Sequence, residues 1–325
     1  MEILLAVSSI LNLVLLAALF CLYHREKMGR APTRPPQITP SPAPDVPQLP
    51  ENGLCKCPLF GEVKLSQLSP ETLQSCVEQE LAARHFEVWL QPKIPVNGRG
   101  GLQAEALIRY RHPEEGILPP GQFVPPLENL RLIYLIDLFV FEETARRLAA
   151  WKGRYELPVI SLNFSRYTLA RDDLMDRMRA IAEHYDFPFR SLEIEVTESV
   201  GDVERAAFLK TCAAIRAEGF GLSLDDFGAE HSNVAILAAV KFDAVKLDKS
   251  IIDRLLSCER NQIITQEFLR TCRKLGAQSV AEGVETQEQL DALTNLGCDY
   301  VQGYYFDKPL AQAAFEEKYL KHPVS

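Results

Sequence analysis

Short, β-rich runs along this chain carry side chains that a buried strand normally avoids. They include Gln91, Glu105, Arg109, Asn163, Glu195, Glu198, Asp225, Asp226, Lys246, Asp248, Glu282, Glu285 and Gln302. Strands covered on both faces are almost purely apolar. Taken singly, each polar residue reads as a cap or a surface group. Recurring in run after run, they read as one site. Carboxylates dominate the set, and carboxylates gathered at one mouth repel each other without cations. Oxygen donors of this kind suit Mg²⁺ or Mn²⁺. In the adjacent pair Asp225-Asp226, one carboxylate can bridge two ions while its neighbour binds one of them. Two ions about 3.5–4 Å apart are the common arrangement for phosphodiester hydrolysis. Lys246 suits orienting an attacking water or neutralising a phosphate. Glu282 suits binding metal or helping to deprotonate that water. Glu105 and Arg109 alternate onto one strand face, an acid beside a guanidinium able to clamp phosphate. Residue type and position do not name the substrate.

Positioning these groups takes regular elements. Strand-like runs stand at 88–92, 104–110, 159–165, 192–198, 221–228, 244–250, 279–286 and 300–306. Apolar residues at three-to-four spacing predict helices at about 69–84, 135–151, 166–185, 203–218 and 286–296. Alternating strand and helix predicts a parallel sheet. Eight strands in about 250 residues predict a closed α/β barrel, with active groups at the C-terminal strand ends. Only KIPVNGRGGLQ joins the first two strands, too short for a crossover helix but suited to a hairpin turning at Asn97-Gly98. The first strand is therefore expected to run antiparallel to the rest of a TIM-like (β/α)8 barrel.

The chain has 325 residues, 47% of them hydrophobic, enough for one barrel with extras. A net charge of −9 speaks against non-specific binding to a nucleic-acid polymer. An anionic ligand would need local neutralisation, for which a metal ion is the obvious candidate. None of the eight cysteines forms a C-x-x-C pair, and Cys55, Cys57 and Cys76 read as reduced thiols rather than a zinc site.

Residues 3–23 form a charge-free run of about 30 Å as a helix, the thickness of a hydrocarbon core. No basic residue precedes it, which disfavours a cleaved signal peptide. His24, Arg25, Lys27 and Arg30 follow, so the positive-inside rule places the remainder in the cytoplasm. Residues 31–50 hold eight prolines and read as a semi-rigid spacer. The expected organisation is a transmembrane anchor at 1–24, a basic then proline-rich linker at 25–50, a connecting segment at 51–69 and a catalytic domain at 70–321. The expected location is the bacterial inner membrane, single-pass.

The residues also form recognisable motifs. Glu105-Ala106-Leu107 with Arg109 stands among Gln91-Pro92, Asn163-Phe164-Ser165, Glu195-Val196-Thr197-Glu198 and Asp225-Asp226-Phe227-Gly228. Lys246-Leu247-Asp248, Glu282-Gly283-Val284-Glu285-Thr286 and Gln302-Gly303-Tyr304 follow in order. From about 70 to 320 the chain resembles the EAL domain of cyclic di-GMP phosphodiesterases. That resemblance implies a barrel with one antiparallel strand and hydrolysis of cyclic di-GMP to linear pGpG. By matching position, Glu105, Asn163, Glu195 and Asp225 would hold one ion, and Asp225, Asp226 and Glu282 the second. Glu282, Lys246 and Glu105 would be catalytic, with Lys246 on the water and Gln302 ordering that region. Gln91, Leu107, Arg109 and Asp248 would contact the nucleotide, together with Gln302. Glu198 would steady the loop after Asp225-Asp226, which in the family leads to a homodimer interface. The sequence departs from the family at Glu230, where glycine is usual; glutamate tolerates a positive φ poorly. His231 reads as a loop residue, and Lys93 after Gln91-Pro92 as a tolerated variation. A barrel that binds the dinucleotide without cutting it, acting as a receptor or interaction module, is the competing reading.

Overall fold

The computed structural model describes residues 70–320, apart from 97, 99, 113–114, 198–204 and 230–233. The chain divides into two compact units, Met1–Ala83 and Arg84–Ser325. The first contributes one described helix, α1 (Pro70–Ala82). Everything else belongs to the second.

That unit opens with a hairpin of β1 (Phe86–Pro95) and β2 (Gln103–His112), then a short β3 (Gly116–Leu118). Helices α2 (Val124–Asn129) and α3 (Ile133–Trp151) lead to β4 (Val159–Asn163). Next come α4 (Arg166–Leu169), α5 (Leu174–His184), β5 (Leu192–Thr197) and α6 (Arg205–Ala217). They are followed by β6 (Gly221–Phe227), α7 (Val234–Ala239), β7 (Ala244–Leu247), α8 (Lys249–Asp253) and α9 (Glu259–Leu275). The unit ends with β8 (Gln278–Ala281), α10 (Gln287–Leu296), β9 (Tyr300–Val301) and α11 (Gln312–Tyr319).

The strands close on themselves in the order β1-β2-β4-β5-β6-β7-β8-β9, with β9 returning to β1. β1 is antiparallel to both of its neighbours, and the other six contacts around the ring are parallel. This is the TIM-like barrel with an inverted first strand that the short hairpin loop required. β3 adds to β2 outside the ring. Gly98 in the hairpin loop has φ +62°. Asn97 lies outside the described residues.

Strand alternation sorts the side chains. Ile160, Leu162, Ile194, Val196, Leu222 and Leu224 are fully buried beneath the helices. There the aromatic rings of Phe141, Phe189 and Phe220 meet with centroids 4.9–5.5 Å apart. The alternate positions face the barrel axis and are polar: Ser161, Glu193, Glu195, Ser223 and Lys246, all buried. The interior of the barrel is thus an ionic core inside an apolar shell.

Three features differ from the sequence-based expectation. The single helix expected at 166–185 is two. Ser165 caps α4, its Oγ accepting from the amides of Tyr167 and Thr168 at 3.2 and 3.3 Å, before the chain turns into α5. Helix α9 was not anticipated. Its buried residues are Thr265, Phe268, Leu269, Thr271 and Cys272, at helical spacing but including two threonines that do not read as apolar. The runs at 279–286 and 300–306 leave the sheet early, so Glu282 and Gln302 sit just past the ends of β8 and β9.

The reading of a single-pass inner-membrane protein is corrected. Among the described residues no helix is long and apolar enough to cross a membrane. The longest, the 19-residue α3, carries Asp137, Glu142, Glu143, Arg146 and Arg147. The run at 3–23 that suggested an anchor, the proline-rich stretch and residues 51–69 lie outside the described residues.

Candidate active site

The parallel strands all end at one mouth, and Lys246 on β7 stands at its centre. Its ammonium is 2.6 Å from Glu282, 2.7 Å from Glu195, 3.0 Å from Asp225 and 3.3 Å from Glu105. These acids come from four different strands or their ends. Lys246 is 1% exposed and Glu195 is 0% exposed. A buried charge survives only when paired, and here one cation serves four anions.

One wall of the mouth is built from amides. Gln91 on β1 lies opposite Glu105 on β2 in the antiparallel register. The Gln302 amide donates to Glu105 Oε2 at 2.7 Å and to Gln91 Oε1 at 3.1 Å. Gln91 in turn donates to the carbonyl of Asp307 at 3.0 Å. Asn163 at the end of β4 donates to Glu105 Oε1 at 2.9 Å. Both oxygens of Glu105 are therefore held. Gln302 Oε1, though buried, has no partner among the described residues. Gly303 follows because the backbone of Val284 crosses there; a Cβ would collide with its nitrogen and oxygen.

The other wall is acidic. The sheet register shifts between Leu224 and Phe227, a bulge that turns successive carboxylates toward the mouth. Asp226 adopts φ +56°, and its amide donates to Asp225 Oδ1 at 2.9 Å. Gly228 follows at φ +98°, pressed against Ile251 where a Cβ has no room. One carboxylate oxygen from each of Asp225, Asp226 and Glu282 lies within 4.8 Å of the others. Between the walls is a cavity of about 330 Å³, lined in part by Leu107, Lys249, Glu285 and the exposed ring of Tyr304.

Electrostatics follow from crowding and burial. Burial, and then the neighbouring Glu195, raise the Glu105 carboxyl. Burial also raises Asp225 and Asp226, and pushes Glu282 up to about 8 against the pull of Lys246. Burial would raise Glu195 as well, but Lys246 and Lys93 outweigh it and hold this carboxyl low. Burial alone would lower Lys246, yet Asp225, Glu105, Glu195 and Glu282 keep it well above the ordinary lysine range. The site is short of positive charge. A pure oxygen donor set with raised carboxyls and an unpartnered amide oxygen is the environment a hard divalent cation satisfies. The residues present fit such a cation.

The expected site residues are placed as follows. Glu105, Asn163, Glu195, Asp225, Asp226, Lys246, Glu282, Gln91 and Gln302 meet at the mouth, and Leu107 lines the cavity. Arg109 lies further along the same face of β2, half-buried, 5.9 Å over the ring of Trp89. Asp248 caps helix α8, its Oδ1 accepting from the amide of Ser250 at 2.9 Å. Glu198, Glu230 and His231 lie outside the described residues.

Sequence reasoning missed two groups. Lys93, read as a tolerated variation, is 1% exposed and reaches Glu195 Oε1 at 2.7 Å. Its signal was a lysine two positions from Gln91, hence on the same strand face. Asp137 on α3 was hidden inside a helical pattern. It is buried, and its Oδ2 accepts from the Ser165 amide at 2.9 Å and from Thr168 Oγ1 at 2.6 Å. It thereby holds the turn that follows Asn163, and burial pushes its carboxyl up to about 7.

Comparison with known proteins agrees with this geometry. The family described as EAL domain matches residues 75–309. The bifunctional diguanylate cyclase/cyclic di-GMP phosphodiesterase MucR of Pseudomonas aeruginosa is 32% identical over 262 residues, 80% of this chain and 38% of MucR. The cyclic di-GMP phosphodiesterase RocR of the same organism is 31% identical over 233 residues, 71% of this chain and 59% of RocR. The chain thus spans less than two thirds of the length of these relatives. A solved structure of the PaMucR phosphodiesterase in complex with c-di-GMP superposes with a TM-score of 0.68 at 32% identity, covering 75% of this chain and 99% of that one. Matched over most of its length, the chain belongs to the EAL domain family.

Proposed function

We propose that this chain hydrolyses one phosphodiester bond of cyclic di-GMP, giving linear pGpG and lowering the messenger, with the activity carried by residues 70–321. The observation that carries this reading is the convergence of four carboxylates from separate strand ends on Lys246, beside an acidic wall open to a cavity. The names of the relatives and of the superposed complex support the same substrate.

Two divalent cations, Mg²⁺ or Mn²⁺, fit the donor set. Glu105, Asn163, Glu195 and Asp225 would hold one, and Asp225, Asp226 and Glu282 the other. Bound cations supply neutralisation of phosphate charge and acidify water. The rest falls to the chain. The amide wall fixes Glu105 so that its carboxylate does not swing into the cavity. Lys246 holds a water in line with the phosphorus and offsets charge as the bond breaks. Glu282, 2.6 Å from the Lys246 ammonium, is suited to take that water's proton. Leu107, Gln91, Arg109, Asp248 and the free oxygen of Gln302 position the nucleotide. The family resemblance would have Glu198 steady the loop after Asp225-Asp226. The family resemblance extends to a homodimer through this domain, which sedimentation velocity on the purified chain tests.

The deciding experiment is turnover of cyclic di-GMP by the purified chain in Mg²⁺, in Mn²⁺ and in EDTA, beside Glu105→Ala. Conversion to pGpG that vanishes in EDTA and in the variant supports the reading. Tight binding without turnover makes the chain a receptor instead.

A further inference from the structure

Beneath the mouth lies a second layer of the barrel, where two buried charged side chains, Lys93 and Glu193, have no part in the chemistry described. Lys93 sits on the inverted strand β1, so the chain there descends into the barrel while its neighbours rise. Register pairs Gln91 with Glu105 at the mouth and Lys93 with Gln103 one step below. In that layer Gln103 and Gln278 hydrogen-bond across the barrel at 2.8 Å. The Lys93 ammonium donates to Ser161 Oγ at 2.6 Å and to Glu195 Oε1 at 2.7 Å. The other oxygen of Glu195 accepts from Lys246 at 2.7 Å. Glu195 is thus gripped from below by one lysine and from above by another. All three side chains are at most 1% exposed.

We propose that Lys93 is the resident counter-charge of the carboxylate cluster, a positioning residue that holds Glu195 whether or not a cation is bound. Five carboxylates, Glu105, Glu195, Asp225, Asp226 and Glu282, face two ammonium groups. The upper one, Lys246, is shared among four acids. Only Lys93 is committed to a single acid of that mouth, from a direction that leaves the mouth clear. With Lys93 in place, the cation-free barrel keeps its ionic core closed. Without it, closure depends on Lys246 and on a divalent cation.

The inference rests on the cation reading above, and its test separates the two. Thermal midpoints of the full chain and of Lys93→Met are measured in EDTA and in millimolar Mn²⁺. Methionine keeps the length and removes the charge. The expected result is a midpoint in EDTA lower by at least about 5 °C, with Mn²⁺ restoring more of it than the shift it gives the unaltered chain. Equal losses with and without Mn²⁺ while Mn²⁺ still raises the midpoint of the unaltered chain, or no loss, would overturn the proposal, leaving Lys93 an ordinary core residue. No Mn²⁺ shift in either protein would instead overturn the cation reading. Should Lys93→Met fail to fold in both conditions, Ser161→Ala decides. It loosens the lysine without removing it, and a smaller Mn²⁺-reversible drop is expected. A drop that Mn²⁺ leaves unchanged counts against the proposal.

Discussion

The two walls of the mouth solve the same problem differently. On the side of β1, β2, β4 and β9, Gln91, Gln302 and Asn163 lock Glu105 through hydrogen bonds, the chain through Gln91 ending on the carbonyl of Asp307. On the side of β6 and β8, Asp225, Asp226 and Glu282 crowd together with Lys246 as their shared donor. The amide wall has its donors satisfied as folded, and only Gln302 Oε1 is left without a partner among the described residues. The acidic wall is held in a bulge with a positive φ and carries more negative charge than the protein neutralises. Strain and unbalanced charge of this kind persist where function uses them. One wall is a template and the other a socket.

The largest effect should come from the socket. Asp225→Asn keeps the size but removes the charge common to both proposed ions. Turnover should fall by about 10³-fold or more, on the scale of several kcal/mol for a lost charge-stabilising group, with the loss read in kcat and not rescued by more substrate. A fall below tenfold would break the contrast between the walls.

Next is the shared donor. Lys246→Met leaves four buried carboxylates without it, and breaking a buried pair costs about 3–5 kcal/mol. Urea unfolding in EDTA should show that loss, and divalent cation should recover part of it. Recovery of none would mean that the acids do not form a cation site.

The template should be more forgiving. Gln302→Leu removes two donated hydrogen bonds and the unpartnered oxygen, a supporting-shell change of about 10–100-fold in metal affinity or activity. Titration of Mn²⁺ separates these. A loss equal to that of Asp225→Asn would place the amide wall in the chemistry itself.

The smallest effect concerns Asp137, which supports the turn after Asn163. An unfolded aspartate titrates near 4, and in the fold burial lifts this one to about 7. The folded state therefore binds the proton more tightly. Stability from the protonated carboxyl is complete below about pH 4 and is lost as pH rises through about 7. Asp137→Asn should flatten the fall in thermal midpoint between pH 5 and 8 while leaving the low-pH stability nearly unchanged. An unaltered slope would assign that pH dependence elsewhere.

Much of this was legible in order and type along the chain. Polar residues recurring in strand-like runs announced a barrel with a site at its strand ends. A hairpin loop too short for a crossover announced the inverted strand. Those signals are local, because side-chain period and loop length are properties of a few adjacent residues. Helix α9 escaped because threonines fill two of the five positions it buries. The split between α4 and α5 escaped because the turn between Leu169 and Leu174 leaves the apolar spacing unbroken.

What the tertiary structure alone decided is which charges face one another. Glu195 and Lys93 are 102 residues apart, and Lys246 is 141 from Glu105. No spacing rule links them. Barrel closure does, by bringing strands distant in sequence into contact and by turning β1 so that Lys93 descends beneath the site. Sequence determined that carboxylates and amides would gather at a mouth. Only the closed ring determined that the amides there donate to Glu105, that the acids crowd on one shared ammonium, and that a lysine taken for a neutral variation lies beneath the mouth against Glu195.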